Sequence, residues 1–167
     1  MGITVITKEG GAGGSVGGFW DDYILLTQDA SILNTTTLTA IEGMSINLEA
    51  NAEYLFSINW HYDNNGQSGV GSKISLATSG NVTGWSHSLD GYTSNSYFAV
   101  PSPFGVASTA AASISRTNAS IIQGIFFIKT GGTSDTLVLK HAQQTAHATN
   151  PFYTRAGTHI LYKKTSG

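Results

Sequence analysis

The chain has 167 residues, of which only 11% are charged, and its formal net charge at pH 7 is −2. An average soluble domain is roughly 25% charged, so this composition offers no basic field for nucleic acid or an anionic membrane, and we expect neither as a partner. The sequence contains no cysteine, which excludes disulfide bonds and thiolate metal sites.

The first 18 residues divide into a strand-like segment and a glycine-rich segment. MGITVITKE alternates Ile3 and Val5 with threonines, as a short strand does. The following GGAGGSVGG has too few side chains to pack. Two interpretations stay open: a disordered tail, or an arm whose strand pairs with the sheet edge of another chain. No apolar stretch of signal-peptide length is present, so we expect synthesis and folding in a cytoplasm.

From residue 19 onward the sequence predicts short strands separated by turns. The clearest is AEYLFSINWHY at residues 52–62, where large apolar side chains alternate with smaller or polar ones. Further strands are predicted at residues 23–27, 38–41, 44–48, 72–77, 81–88, 97–100, 120–129, 136–144, 151–155 and 158–164, with a strand or short helix near 110–114. The pattern predicts an all-β fold, an antiparallel β-sandwich or jelly roll at residues 19–167, preceded by a flexible glycine-rich arm at residues 1–18.

The five histidines do not form a metal-binding pattern. His141 and His147 lie in LVLKHAQQTAHAT, and no Asp or Glu follows residue 135 to complete a zinc or iron site. Two-residue alternation places His141 on the same strand face as Leu137 and Leu139. We therefore expect these three side chains in the core or in a seam between subunits, and we expect no metal and no cofactor.

The carboxylates and serines suggest no catalytic arrangement either. The ten Asp and Glu residues are dispersed, whereas a glycosidase needs two carboxylates that face one cleft. Residues 13–17, GGSVG, fit the G-x-S-x-G pattern of a nucleophile elbow, but that motif requires a strand before it and a helix after it. The glycine-rich segment provides neither. We expect that the protein is not an enzyme and has no catalytic residue.

One group of aromatic and polar residues suits a sugar-binding surface, because sugars stack on exposed aromatic rings. Trp85 lies in the polar segment GWSHSLDGY beside His87, Asp90 and Tyr92. Trp60, in contrast, belongs to the alternating apolar face of residues 52–62 and is predicted in the core. The four residues of the first group are therefore the candidate glycan contacts.

The C-terminal third contains a series of short motifs. In SIIQGIFFIKTGGTSDTLVLKHAQQTAHATNPFYTRAGTHILYKK, an apolar strand ends in a glycine turn, and a T-L-x-L-x-x-A-Q strand, a Thr/Asn-rich loop, an A-G-T turn and a basic final strand follow. Upstream, residues 48–56 read LEANAEYLF, an L-x-A-N-x-x-Y-x-F pattern. Together these motifs resemble the jelly-roll domain of tailed-bacteriophage virion structural proteins. The sequence departs from that family at His141, where an aromatic residue commonly precedes Ala-Gln, and at Asn150-Pro151, which interrupts the loop.

The resemblance covers about residues 37–164 and implies a jelly-roll sandwich that forms homotrimers on virions and has no catalytic residues. Two functions are compatible with it. In the first, the protein is a capsid decoration or cement protein on the outer surface of the head, and the arm residues Ile3, Val5, Phe19 and Trp20 contact the major capsid protein. In the second, it is a tail-fibre, spike or receptor-binding module among tail proteins, and Trp85 with its neighbours contacts a host surface glycan.

Overall fold

The fold is taken from a computed structural model, which describes residues 5–8, 19–64, 71–93, 97–99, 112–114 and 120–167. The regular structure in these residues is β throughout. The strands are β1 (Val5–Lys8), β2 (Asp22–Leu26), β3 (Ala30–Ile32), β4 (Thr39–Leu48), β5 (Glu53–Asp63), β6 (Ser72–Ala77), β7 (Val82–Thr93), β8 (Tyr97–Ala99), β9 (Ala112–Ile114), β10 (Ser120–Thr130), β11 (Asp135–Gln143), β12 (Phe152–Thr154) and β13 (His159–Ser166). The described part of the chain contains no helix that could cross a membrane.

The strands form two antiparallel sheets. The larger sheet has nine strands in the order β1-β2-β13-β5-β10-β7-β8, with β12 attached to β5 and β3 attached to β12. The smaller sheet has four strands in the order β4-β11-β6-β9. Every strand pair is antiparallel. The predicted all-β class is therefore confirmed, and the two antiparallel sheets are consistent with a β-sandwich.

The core lies between the sheets, and β5 shows how the sequence specifies it. Every second side chain of β5 from Tyr54 to Tyr62 is buried, whereas the side chains between them are partly exposed. Phe56 stacks on Phe126 of β10, with ring centroids 4.6 Å apart. The four-stranded sheet contributes the apolar side chains Ile46, Leu48, Ile74, Leu76, Leu137 and Leu139. Burying one side chain of this size stabilises the fold by roughly 1.5–3 kcal/mol, so this layer is the main source of stability.

Strand boundaries differ from the predicted ones where the backbone is irregular. The predicted strands 38–41 and 44–48 belong, from residue 39 onward, to the single strand β4. Gly43 between them adopts a φ of 74°, and the register of β4 against β11 shifts nearby. The sequence pattern does not predict β3, which has only three residues and joins the sheet through β12. In the segment predicted as a strand or short helix near residues 110–114, the described residues 112–114 form the strand β9.

A buried carboxylate ties the β6–β7 loop to the start of β11. Asp135 accepts hydrogen bonds from the Ser79 amide (2.7 Å) and hydroxyl (2.5 Å), the Asn81 amide (2.8 Å) and the Thr136 amide (2.6 Å). Burial raises the pKa of this carboxyl group, but the hydrogen bonds outweigh burial and hold its pKa below the usual value. Asp135 is therefore an ionised group with a structural role.

A second polar network fixes the far end of β5. Arg155, between β12 and β13, pairs with Asp29 at 2.6 Å and with Asp63 at 2.5 Å, and its guanidinium lies 4.3 Å from the centroid of the Tyr153 ring. Asp29 also accepts a hydrogen bond of 2.8 Å from the Ala156 amide. The network joins the β2–β3 loop, β5 and β12, so one cation holds three parts of the chain together.

Candidate functional site

The N-terminal segment ends up at the edge of the nine-stranded sheet. β1 pairs with β2 in a register that sets Val5 opposite Leu26 and Lys8 opposite Tyr23. The candidate contact Val5 therefore lies in a paired strand, while Ile3 and most of the predicted arm, residues 1–4 and 9–18, lie outside the described residues. On its other side, β1 has no partner strand in the part of the chain that the structure describes. This free edge can accept a further strand.

Phe19 and Trp20, of which Trp20 is partly buried, form an aromatic pair directly before β2. Phe19 is 59% exposed and meets Trp20 edge to face, with ring centroids 5.1 Å apart. The Lys163 ammonium of β13 lies 4.7 Å from the centroid of the Phe19 ring, which is within cation–π range. The Asp21 amide donates to the Tyr162 carbonyl at 3.0 Å and fixes this segment on β13. The two aromatic candidates thus lie side by side on the sheet.

The outward face of the nine-stranded sheet is apolar at its centre. Strand register aligns Leu161, Ser57, Ile125 and Ser88 in one row, and Lys163, Leu55, Phe127 and Ser86 in the next. Ile125 is 50% exposed, and the other apolar members are half-buried. Solvated faces of antiparallel sheets are normally polar, so this outer apolar face, comprising Leu55, Ile125, Phe127 and Leu161, is a candidate contact surface.

The sequence of β10 indicates the outer apolar face, because its apolar residues are not confined to one side of the strand. In SIIQGIFFIK of β10, apolar residues occupy both alternating sets, with Ile122, Phe126 and Ile128 inward and Ile125 and Phe127 outward. A strand with one solvated face should carry polar residues in one of these sets. Apolar residues in both sets indicate that the outward face is partly covered or makes contacts.

An open groove crosses this face. It has a volume of about 280 Å³ and is lined by Leu55, Ser86, Ser88, Ile125, Phe126 and Phe127. Ser86 and Ser88 of β7 have small side chains, and the space above them is bordered by the larger side chains of β10. The described residues that line it offer apolar surface and two hydroxyl groups, and none of them is an acid or base suited to proton transfer.

His141 lies in the core, with 3% of its surface exposed, beside the buried Leu137 and Leu139. Its Nδ1 is 3.0 Å from the Thr154 hydroxyl oxygen, which also accepts a 3.2 Å hydrogen bond from Trp60 Nε1. Burial lowers the pKa of His141 to about 4, so the ring is neutral near pH 7. His141 links the two sheets.

Gln143, at the end of β11, organises the loop that follows. Its buried side chain donates to the Asn150 carbonyl at 2.6 Å and accepts from the His147 amide at 2.9 Å. The imidazole Nδ1 of His147 in turn accepts from the amides of Thr149 at 3.3 Å and Asn150 at 3.2 Å. The polar side chains of Gln143 and His147 in LVLKHAQQTAHAT therefore form hydrogen bonds within their own loop.

The structure does not bring the candidate glycan contacts together on one surface. Trp85 pairs with Ile128 and stacks on Phe126 at 5.6 Å, on the inward side of β7. Asp90 pairs with the outward Gln123, so strand alternation places it on the opposite face. The side chains of His87 and Tyr92 lie outside the described residues.

Two histidines, His61 and His159, lie near each other on the outward face. Burial, and then the electrostatic interaction with His159, lower the pKa of His61. The Asn59 carbonyl oxygen beside them is buried without a hydrogen-bond partner among the described residues. Within those same residues, no three His, Asp or Glu side chains are placed to hold a metal ion.

Comparisons with known proteins give no match for this chain. No protein-family model, no curated protein and no solved structure matches it.

Proposed function

We propose that the chain is a phage virion structural protein, a decoration or cement protein that binds the outer surface of the head as a homotrimer. Its partner is the major capsid protein. The sequence motifs at residues 48–56 and 120–164, which resemble those of virion jelly-roll domains, support this assignment, and so does a fold of two antiparallel sheets. A jelly-roll connection of the strands belongs to the same proposal.

One observation carries the proposal, namely the combination of a free strand edge and an aromatic pair with one exposed ring, Phe19, in the N-terminal region. β1 leaves one side unpaired among the described strands, and Phe19 and Trp20 present apolar rings a short distance along the chain. A shell subunit can add a strand to such an edge while the rings fill a pocket beside it. Ile3 and Val5 extend the same contact.

A binding experiment with heads assembled without this protein tests the proposal. Full-length protein is added to the heads, and the bound copies are counted by sedimentation and electron microscopy. Deletion of residues 1–18 or the Phe19→Ala, Trp20→Ala double variant should lower the affinity at least tenfold, because buried aromatic anchors dominate such interfaces. Leu33→Ala is the matched control, since Leu33 is 46% exposed but follows β3, away from β1. Full occupancy by the truncated protein would refute the arm contact.

The oligomeric state provides a second, independent measurement. Light scattering on the purified protein should give a mass three times the 17.5 kDa of the chain. A monomer at micromolar concentration would contradict the trimer, although the head-binding result would still decide the location.

The open groove on the outer apolar face favours a second candidate, a tail-fibre or receptor-binding module for host glycan. Ser86 and Ser88 offer hydroxyl groups beside the Phe127 ring, and a sugar can use both kinds of contact. A glycan array should then show hits that Phe127→Ala removes, and Trp85→Ala should remove them if the predicted group takes part. An array without hits excludes this candidate.

A further inference from the structure

The connection between β1 and β2 is unusual for two neighbouring antiparallel strands. Lys8 and Tyr23 are register partners at the near ends of the two strands, yet the thirteen residues from 9 to 21 separate the strands. A hairpin between adjacent strands needs only two to five residues. A short turn would force β1 to pair with the β2 of its own chain, and this connection does not.

The length and composition of the connection allow β1 to reach a neighbouring molecule. Six of residues 9–18 are glycine. A glycine-rich chain of ten residues has a root-mean-square span of roughly 16–19 Å and a maximum of about 33–36 Å. A domain of this size has a radius of gyration of roughly 15 Å. The β2 edge of an adjacent copy is therefore within reach.

The acceptor for such a strand is built into every copy. β2 pairs with β13 on one side and with β1 on the other, so its outer edge is filled by β1 alone. β1 and β2 also contact β4, so the strand at this position covers the margin where the two sheets meet. A β1 from a second copy would make the same backbone hydrogen bonds and cover the same margin, because its sequence is identical.

We propose that β1 is exchanged between copies of this chain, so that each β2 edge is completed by the β1 strand of a neighbour. In a cyclic assembly every copy donates one strand and accepts one strand, which leaves no β2 edge open. The proposal extends the homotrimer of the proposed function by naming how the copies are joined, but it does not depend on the location of that trimer on a phage head.

Cross-linking tests the exchange cleanly, since the natural chain has no cysteine. Lys8→Cys and Tyr23→Cys variants are prepared separately, unfolded, mixed, refolded together and treated with a short bismaleimide. Exchange predicts a covalent dimer in the mixture at a yield at least tenfold above that of either variant alone. The control mixture combines Lys8→Cys with Lys129→Cys, because Lys129 is exposed on β10 and does not neighbour β1.

The double variant Lys8→Cys, Tyr23→Cys gives the complementary result. With exchange, cross-linking yields covalent multimers on a denaturing gel. Without exchange, it yields a cross-linked monomer, and the mixed sample gives no more dimer than the control; that pair of results overturns the proposal. Head binding by the natural protein is measured in parallel, so a protein that binds heads without exchanging strands refutes only the exchange.

Discussion

Lowering the pH from 7 toward 4 is expected to destabilise the protein through His141. The ring is buried in the core, and its Nδ1 lies 3.0 Å from the Thr154 hydroxyl oxygen. Protonation would place a charge among apolar side chains. In the unfolded chain, by contrast, the same ring is in water and binds a proton near its ordinary pKa of 6.5.

The pKa difference gives the size and the direction of this effect. The folded-state pKa of His141 is about 4, against 6.5 in the unfolded state. Because the unfolded state binds the proton more readily, stability is complete above pH 6.5 and falls as the pH decreases toward 4. A difference of about 2.5 pKa units corresponds to roughly 3 kcal/mol. This is a large fraction of the roughly 5–15 kcal/mol that stabilises a typical domain.

Urea unfolding at pH 7, 5.5 and 4.5, followed by Trp fluorescence, measures this contribution. His141→Gln cannot gain a proton, so its unfolding free energy should change less over this range than that of the natural protein, by about 2–3 kcal/mol at pH 4.5. His159→Gln is the matched control, because His159 lies on the outward face and is only half-buried. Parallel pH curves for the natural protein and His141→Gln would refute the reasoning.

Two further substitutions test the polar networks by urea unfolding at pH 7. Asp135→Asn should lower the unfolding free energy by about 2–3 kcal/mol, because an amide cannot accept all the hydrogen bonds that the carboxylate accepts. Glu42→Gln is its control, since Glu42 is exposed. Equal losses of unfolding free energy in the two variants would contradict a structural role for Asp135. Arg155→Met should lower it by about 1–2 kcal/mol, since it breaks two ion pairs and a ring contact. Lys129→Met removes one exposed pair with Glu53, so a loss as large as that of Arg155→Met would count against the network.

The sequence predicts strands best where one face is uniformly large and apolar. β5 follows its predicted bounds closely, because alternation from Tyr54 to Tyr62 specifies both the strand and its buried side. β4 was predicted in two pieces since a bulge at Gly43 interrupts its alternation. β3 has too few residues to show a period, so only its pairing with β12 defines it.

The arrangement of the candidate site residues is harder to predict from the sequence than the strands are. Alternation alone placed His141 beside Leu137 and Leu139, but its partner Thr154 belongs to the other sheet, which no local pattern reveals. Trp85 and Asp90 are close in sequence, yet strand alternation separates them in space. The contact between β1 and β2 depends on strand pairing across the glycine-rich segment. The sequence predicts only that the N-terminal strand pairs with the edge of a sheet.

The position of β13 has a consequence for the order in which the chain can fold during synthesis. β13 follows the other described strands in the chain, yet it lies between β2 and β5 and is the strand that joins them in the nine-stranded sheet. Until residues 159–166 have left the ribosome, β2 has only β1 as a partner, and a two-stranded pair is marginally stable in water. At roughly 5–20 residues per second, β2 therefore waits on the order of 10 s for β13. The sheet is completed only once residues 159–166 have emerged, so it cannot form strand by strand from β1 onward.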